Sequence, residues 1–328
     1  MLILNAAETN LALPMAETIE AMKIAYRSLS EGSAEMPLRA QIPVTDRDGV
    51  TLIMPAFLKD ADQAALAVKV VSIFNKNPKN NLPLIHAAVL VLDEKSGRIE
   101  ALIEGARLTA IRTGAGSGAA TDILAKRDAS SLAIIGSGAQ AATQLEAVCA
   151  VRSISKVRVF SPNQEHASKF VRTYKGKNLI PDNIEAVSST AEALSKADIV
   201  CTATTSSKPV FDDGDLKAGC HINAVGTFMP ERSEIPSETV ARADIFVDSL
   251  TMAGEEAGEI IQNVDNDIIQ MDSIREIGQL ILNNSARKYY PERITLFKSV
   301  GVAIQDAAAG KLALSKAKEL NLGTHVEF

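Results

Sequence analysis

Residues 131–146 read SLAIIGSGAQAATQLE. Leu132 to Ile135 form a short, β-branched apolar run, the pattern of a parallel strand buried on both faces. Gly136, Gly138 and Ala141 follow at G-x-G-x-x-A spacing, and residues 142–148 read as a helix. Each small residue has its own physical reason. Gly136 permits a tight turn, Gly138 lets the backbone approach a pyrophosphate, and Ala141 lets helix and strand pack closely. The free N–H groups of a helix N-terminus, aided by the macrodipole, would receive the phosphates. Glycine-rich turns also serve packing alone, but the strand–turn–helix frame favours a dinucleotide site. Its candidate contacts are Gly136, Ser137, Gly138, Ala139 and Gln140.

Downstream of this stretch, strand and helix alternate. Strands are predicted at 157–160, 185–187, 199–202, 221–225 and 245–247, with helices at 164–174 and 190–196. Such alternation specifies an α/β fold with a doubly wound parallel sheet of Rossmann type. Upstream, the chain is predicted to begin with a helix in which Met15, Ile19, Met22, Tyr26 and Leu29 share one face. Strands follow at 39–44, 50–57, 65–74, 86–92 and 99–104, and short connections such as DRDG and DEKSG predict mainly antiparallel pairing. A long helix over 107–126 contains GAGSGAA, residues 114–120. No strand precedes those glycines, so they read as close helix packing. Residues 293–310 read as helical. Two domains are expected: a smaller β-rich one, residues 1–115 with 295–328, for substrate binding and dimerisation, and a dinucleotide-binding one, residues 116–294.

At 328 residues each domain can bury a core of its own. A net charge of −6 without a Lys/Arg run argues against nucleic acid as a partner. No basic apolar leader opens the chain and no eighteen apolar residues run together, so neither secretion nor a membrane span is expected. Cys149, Cys201 and Cys220 lack CxxC spacing and lie in apolar runs, which suits reduced thiols in the cytoplasm. His86, His166, His221 and His325 are scattered without ligand spacing, so no metal is expected.

In a dinucleotide fold, an acid about 20 residues past the fingerprint binds the ribose 2′-hydroxyl of NAD. Here Ser161 holds that place, in VFSPNQEH. No carboxylate repels a 2′-phosphate and no arginine grips one, so NADPH is slightly favoured over NADH. Ser161 and Asn163 could donate to phosphate or sugar, or simply form a turn. The strand ends Thr202-Ala203-Thr204 and Val225-Gly226 suit the nicotinamide side, where small residues let a flat ring lie on the backbone. In the first domain, Arg39, Lys69 and Arg112 are the informative charges. Lys69 interrupts the apolar run AALAVKVVSIF, and burying an unpaired ammonium costs several kcal/mol, so it faces solvent or an anionic ligand. Each of the three could equally be a solvated or ion-paired structural residue.

Taken together, MPLRAQIP, AVKVV, GARLTAIRTGAGSG, IIGSGAQA, NAVGTFMPERSEI and FKSVGVAIQDAAAG, in this order over the whole chain, resemble the ornithine cyclodeaminase/μ-crystallin family. By motif position, the resemblance implies that Arg39, Lys69 and Arg112 contact the substrate carboxylate and reacting centre, with Lys69 and Arg112 catalytic. It adds Thr113 and Ser299 to the cofactor contacts, and Phe228 and Gly301 to those of the substrate. It also implies a homodimer formed through the N-terminal domains. Ornithine cyclodeaminases carry an aspartate in a VGGDCP-like segment, where this chain reads VGTFMP with Phe228. A phenyl ring cannot take a proton or orient an ammonium by charge, although Glu231 lies nearby. The expectation is therefore an NAD(P)H-dependent imine reductase acting on a small 2-imino acid. 1-Pyrroline-2-carboxylate, reduced to proline, comes first, and the six-membered ketimine second. Alanine dehydrogenase, ornithine cyclodeaminase and a non-enzymatic μ-crystallin-like NADPH-binding protein are the alternatives.

Overall fold

The computed structural model describes residues 1–59, 64–283 and 292–327. In chain order the first elements are β1 (Leu2–Leu4), α1 (Ala6–Ala12), α2 (Met15–Ser30), β2 (Ala34–Glu35), β3 (Ala40–Val44), β4 (Gly49–Leu58), β5 (Ala65–Phe74), β6 (Ile85–Leu92), β7 (Ile99–Glu104) and α3 (Gly105–Leu124). There follow β8 (Ser131–Ile135), α4 (Ala139–Val151), β9 (Lys156–Phe160), α5 (Gln164–Tyr174), β10 (Ile184–Ala186), α6 (Thr190–Leu194), β11 (Ile199–Thr202) and β12 (His221–Ala224). The chain then forms α7 (Ser237–Arg242), β13 (Asp244–Val247), α8 (Leu250–Glu256), α9 (Gly258–Asp265), β14 (Arg275–Glu276), α10 (Ile277–Leu282), β15 (Thr295–Lys298), α11 (Ala303–Glu319) and β16 (Thr324–His325). It divides into two units, residues 1–112 with 302–328 and residues 113–301.

The first unit is a mixed sheet ordered β16-β1-β7-β6-β5-β4-β2, with β3 on β4. β4 to β7 pair antiparallel, as their short connections require, and only β1 joins parallel, on β7. Side chains alternate across a strand. Ala65, Ala67, Lys69 and Val71 of β5 are therefore buried on one face, while Leu66, Val68 and Val70 take the other. α11 packs on β4, β5 and β6, and α2 packs on α11. The close approach of α11 needs Gly310, where a Cβ would stand 2.8 Å from Val91 Cγ2. On α2, Ile19, Met22 and Tyr26 form the buried stripe that their spacing predicts.

The second unit is an all-parallel sheet ordered β10-β9-β8-β11-β12-β15-β13-β14. From β8 the chain moves outward to β9 and β10, then returns to β11 on the other side, so the topology switches between β8 and β11. Register places Ile135 beside Phe160 and Thr202, which brings three carboxyl ends level. Leu132 and Ile134 of β8 pack with Ala141, Leu145 and Val148 of α4 in the buried core. Of the glycines of 114–120, Gly114 does serve packing: a Cβ there would lie 2.5 Å from the Thr143 carbonyl oxygen of α4.

Two local expectations are corrected. The chain begins with strand β1, not a helix, because LIL gains its ladder from β7, about a hundred residues away, and three residues carry no readable period. Residues 293–310 are not one helix. TLFK is β15, buried throughout between β12 and β13, and α11 starts only at Ala303. A short apolar run has no periodicity that separates buried strand from buried helix. Because β15 belongs to the parallel sheet, the later unit boundary falls after Gly301 rather than at residue 295.

Candidate active site

In the second unit a cavity of about 630 Å³ opens at the switch point. The turn after β8 (Gly136, Ser137, Gly138), the end of β9 (Phe160, Ser161, Pro162) and the segment after β11 (Ala203 to Ser206) line it, with His166, Pro209 and Val210. Gly136 has φ +117°, and its N–H donates to the Phe160 carbonyl at 2.8 Å. A Cβ there would collide with the Ala203 carbonyl oxygen. Gly138 differs: it caps α4, and a Cβ would meet no atom of the described residues within 4 Å beyond its chain neighbours. Gly136 thus closes the turn, whereas Gly138 leaves room in front of the N-terminus of a thirteen-residue helix. Just inside that turn, the Gln140 Oε1 is buried and accepts no hydrogen bond among the described residues. This open face fits a dinucleotide whose pyrophosphate lies on the N–H groups of Ala139 and its neighbours, whereas the Gln140 oxygen needs a donor that a ribose hydroxyl could supply and a phosphate could not.

The Ser137 and Ser161 hydroxyls lie 3.1 Å apart at the β8 and β9 ends. Among the described residues, no carboxylate lines the cavity. Asn163 directs its side-chain oxygen to the backbone, accepting from Glu165 and His166 N–H as the cap of α5. Thr113, Thr202, Val225, Gly226 and Ser299 lie outside the cavity lining. The Thr113 carbonyl accepts from Gln144 Nε2, and Val225 N–H donates to the Thr202 carbonyl. Ser299 Oγ and Gly301 N–H both donate to the buried Asp248 Oδ2, at 2.7 and 2.9 Å. Phe228 is half-buried beyond β12, and Glu231 is exposed. His166, Ser206, Pro209 and Val210 carry no motif signal and reach the cavity only through folding.

The first unit assembles the cations. Lys69, 2% exposed, places its ammonium 2.6 Å from Asp306 Oδ2 on α11. Arg112 of α3 donates through Nε to Asp306 Oδ1 at 3.0 Å and through Nη1 to Gln305 Oε1 at 2.8 Å. Gln305 is fixed in turn: its Oε1 accepts from Val302 N–H, and its Nε2 donates to the Tyr26 hydroxyl. Arg39 is half-buried, with Nη1 4.0 Å from the sulfur of Met54, the β4 residue paired with Lys69. Lys69 does not depend on solvent or a ligand alone for its anion, since Asp306 of the same chain supplies one. Burial lowers the Lys69 pKa to about 8; Asp306 opposes that shift, and the Arg112 and Arg39 charges add to it. Asp306 and Gln305 are the residues that sequence reasoning missed. Their only signal was a lone acid–amide pair in the small-residue helix AIQDAAAG.

Two cations therefore share one buried carboxylate, with a third close enough to act on Lys69. Among the described residues, Asp306 is the only partner of the Lys69 ammonium, and Arg112 Nη2 has none. The cluster has net positive charge and unused donors, the requirement for binding a monoanion. No group of three or more His, Cys, Asp or Glu that could hold a metal ion occurs among the described residues. Nor does any helix there have the length and apolarity to cross a membrane.

The model of the ornithine cyclodeaminase/mu-crystallin family matches residues 1–321. The chain belongs to that family. A Δ(1)-pyrroline-2-carboxylate reductase of Bacillus cereus is 38% identical, with both chains covered in full. The solved structure of the Thermococcus litoralis Δ(1)-pyrroline-2-carboxylate reductase, in complex with NADH and L-proline, is 41% identical. It superposes with a TM-score of 0.94 over 99% of this chain and 100% of that one. An archaeal alanine dehydrogenase dimer with bound NAD is 31% identical, with a TM-score of 0.91 over 100% of this chain and 99% of its own.

Proposed function

We propose that this protein is an NAD(P)H-dependent reductase of small cyclic 2-imino acids, with 1-pyrroline-2-carboxylate, converted to proline, as its substrate. The observation that carries the reading is the buried cluster of Lys69, Arg112 and Asp306, whose surplus positive charge suits one substrate carboxylate. Likeness to reductases of that name, over full length, supports the choice of substrate. A reduced nicotinamide cofactor, its pyrophosphate held at the Gly136–Gly138 turn, would supply the hydride. Arg112, with Arg39, holds the carboxylate and so fixes the position of the imine carbon. Lys69 keeps its proton below pH about 8 and donates it to the imine nitrogen, which becomes the amine. Asp306 orients that ammonium and opposes its premature deprotonation. The cavity lacks a carboxylate at Ser161, so it accepts either NADH or NADPH.

Phe228 supplies no charge for an ornithine side-chain ammonium, which disfavours cyclisation with ammonia release. The test follows nicotinamide absorbance with the five- and six-membered imines, pyruvate with ammonia, and ornithine, each with both cofactors. The five-membered imine is expected to give the highest kcat/KM. A preference for pyruvate with ammonia, or ammonia release from ornithine, would replace the reading with alanine dehydrogenase or cyclodeaminase activity. Cofactor binding without any turnover would leave a binding protein.

The same proposal includes a homodimer through the first unit. On the face of β4 and β5 opposite α11, Ile53 pairs with Val70 and Phe57 with Leu66, all apolar and at most half-buried. A second copy of this face is its natural cover, and the dimeric archaeal relative supports that choice. The three cysteines are free and buried, which fits a reducing, cytoplasmic setting.

A further inference from the structure

Glu234 has no part in the site so far, yet it is fully buried in the second unit. Its Oε1 accepts from Thr204 N–H at 2.8 Å and from the Thr204 hydroxyl at 2.7 Å. Its Oε2 accepts from Gly226 N–H at 2.8 Å and from the Thr202 hydroxyl at 3.0 Å. One carboxylate thus ties the end of β11 to the end of β12. Both backbone N–H groups lie just past their strands, where the ladder offers no further acceptor. Gly226 has to be glycine for this contact, since a Cβ would occupy the place of the carboxylate.

The clamp is itself held. Glu234 N–H donates to Glu259 Oε1 at 2.9 Å, and Glu259 Oε2 pairs with Lys298 Nζ at 2.8 Å. Lys298, on the adjacent β15, also donates to the Thr227 carbonyl at 2.7 Å. Burial raises the Glu234 pKa, and the Lys298 charge and the Thr204 hydrogen bonds oppose that rise. Two buried carboxylates with one buried lysine, which among the described residues pairs only with Glu259, are poor material for stability alone, because apolar packing of equal volume is often as good or better. What this arrangement achieves is a fixed spacing between two strand ends at the mouth of the sheet.

We propose that Glu234 is a positioning residue for the nicotinamide half of the cofactor, setting the spacing of Thr202–Thr204 and Val225–Gly226 on which that half rests. This deepens the reductase reading and rests on it. The adenosine half relies on other groups, Gly136 to Gly138 and Ser161, which Glu234 does not touch. Cofactor fragments therefore separate the clamp from a general fold defect.

The experiment is calorimetric titration of wild type, Glu234→Gln and Glu234→Asp with NADH and with ADP-ribose, which lacks the nicotinamide. Gln turns one acceptor oxygen into a donor, and Asp is too short to span both strand ends. With either variant, NADH is expected to bind about tenfold more weakly or worse, the effect of losing a hydrogen bond to a charged acceptor. ADP-ribose affinity should stay within about twofold, well inside that margin. Equal losses for both ligands, or none for either, would overturn the clamp, and whichever variant folds decides the matter. Failure of wild type to bind either ligand would instead overturn the cofactor reading, and the clamp with it.

Discussion

At Asp306, two oxygens serve two cations, Lys69 on a central strand and Arg112 on a helix. Breaking a buried pair strands the remaining charge, so none of the three is a neutral site for substitution. Arg112→Lys keeps the charge but loses the planar fork that reaches both Asp306 and Gln305. Displacing the substrate carboxylate by ~1 Å costs on the order of 100-fold in kcat/KM. That loss is expected beside a folded protein, checked by imine reduction and the thermal midpoint. Near-wild-type turnover would remove Arg112 from the site. Lys69 gives a pH test. As a proton donor it works only while protonated, so kcat/KM should fall as pH rises through about 8. In Asp306→Asn the carboxylate that raises the Lys69 pKa is gone, so the falling limb should move to lower pH. A limb that stays in place would assign it to another group.

The β8–α4 turn distinguishes two glycines with the same motif standing. Gly136 needs its left-handed φ and the space taken by Ala203, so Gly136→Ala should lower the thermal midpoint itself. Gly138 has φ −86°, open to any residue, and open space beyond it. Gly138→Val should leave the thermal midpoint nearly unchanged and abolish binding of NADH and NADPH, because the isopropyl group fills the approach to the helix N-terminus. Unchanged cofactor affinity in a titration would show that no pyrophosphate lies there. The contrast is set by the turn geometry, and G-x-G-x-x-A alone treats both positions alike.

For the whole molecule, the testable quantity is mass. The outer face of β4 and β5 is lined by apolar pairs, and Val70 in its midst is 38% exposed. Val70→Asp puts a carboxylate where a second copy would desolvate it, while the inner face against α11 is untouched. Sedimentation equilibrium should give a dimer for wild type and a monomer of unchanged secondary structure for the variant. A monomeric wild type would reject the proposed interface.

Much of this is legible in the chain because the signals are local. Residues 131–146 carry strand, turn and helix within sixteen positions, and the alternation after them admits only a parallel sheet. The α2 stripe and the five strands 39–104 are likewise readable from periods of 3.6 and 2. Two of the elements that a local reading misses, LIL at the start and TLFK at 295–298, are three and four residues long. A strand that short has no period of its own and is defined by partners distant in sequence. The site divides in the same way. Gly136, Ser137, Gly138 and Ser161 follow from a motif at fixed spacing, and resemblance singles out Lys69 and Arg112. Neither could reveal that Asp306, 194 residues beyond Arg112, supplies their shared anion. Nor could they show that Glu234, rather than the exposed Glu231, is buried beneath two strand ends. A buried charge is tolerable only with its partner, and chain separation carries no information about that partner. The sequence determined the backbone frame and the motif turn; only the tertiary structure decided which charges meet.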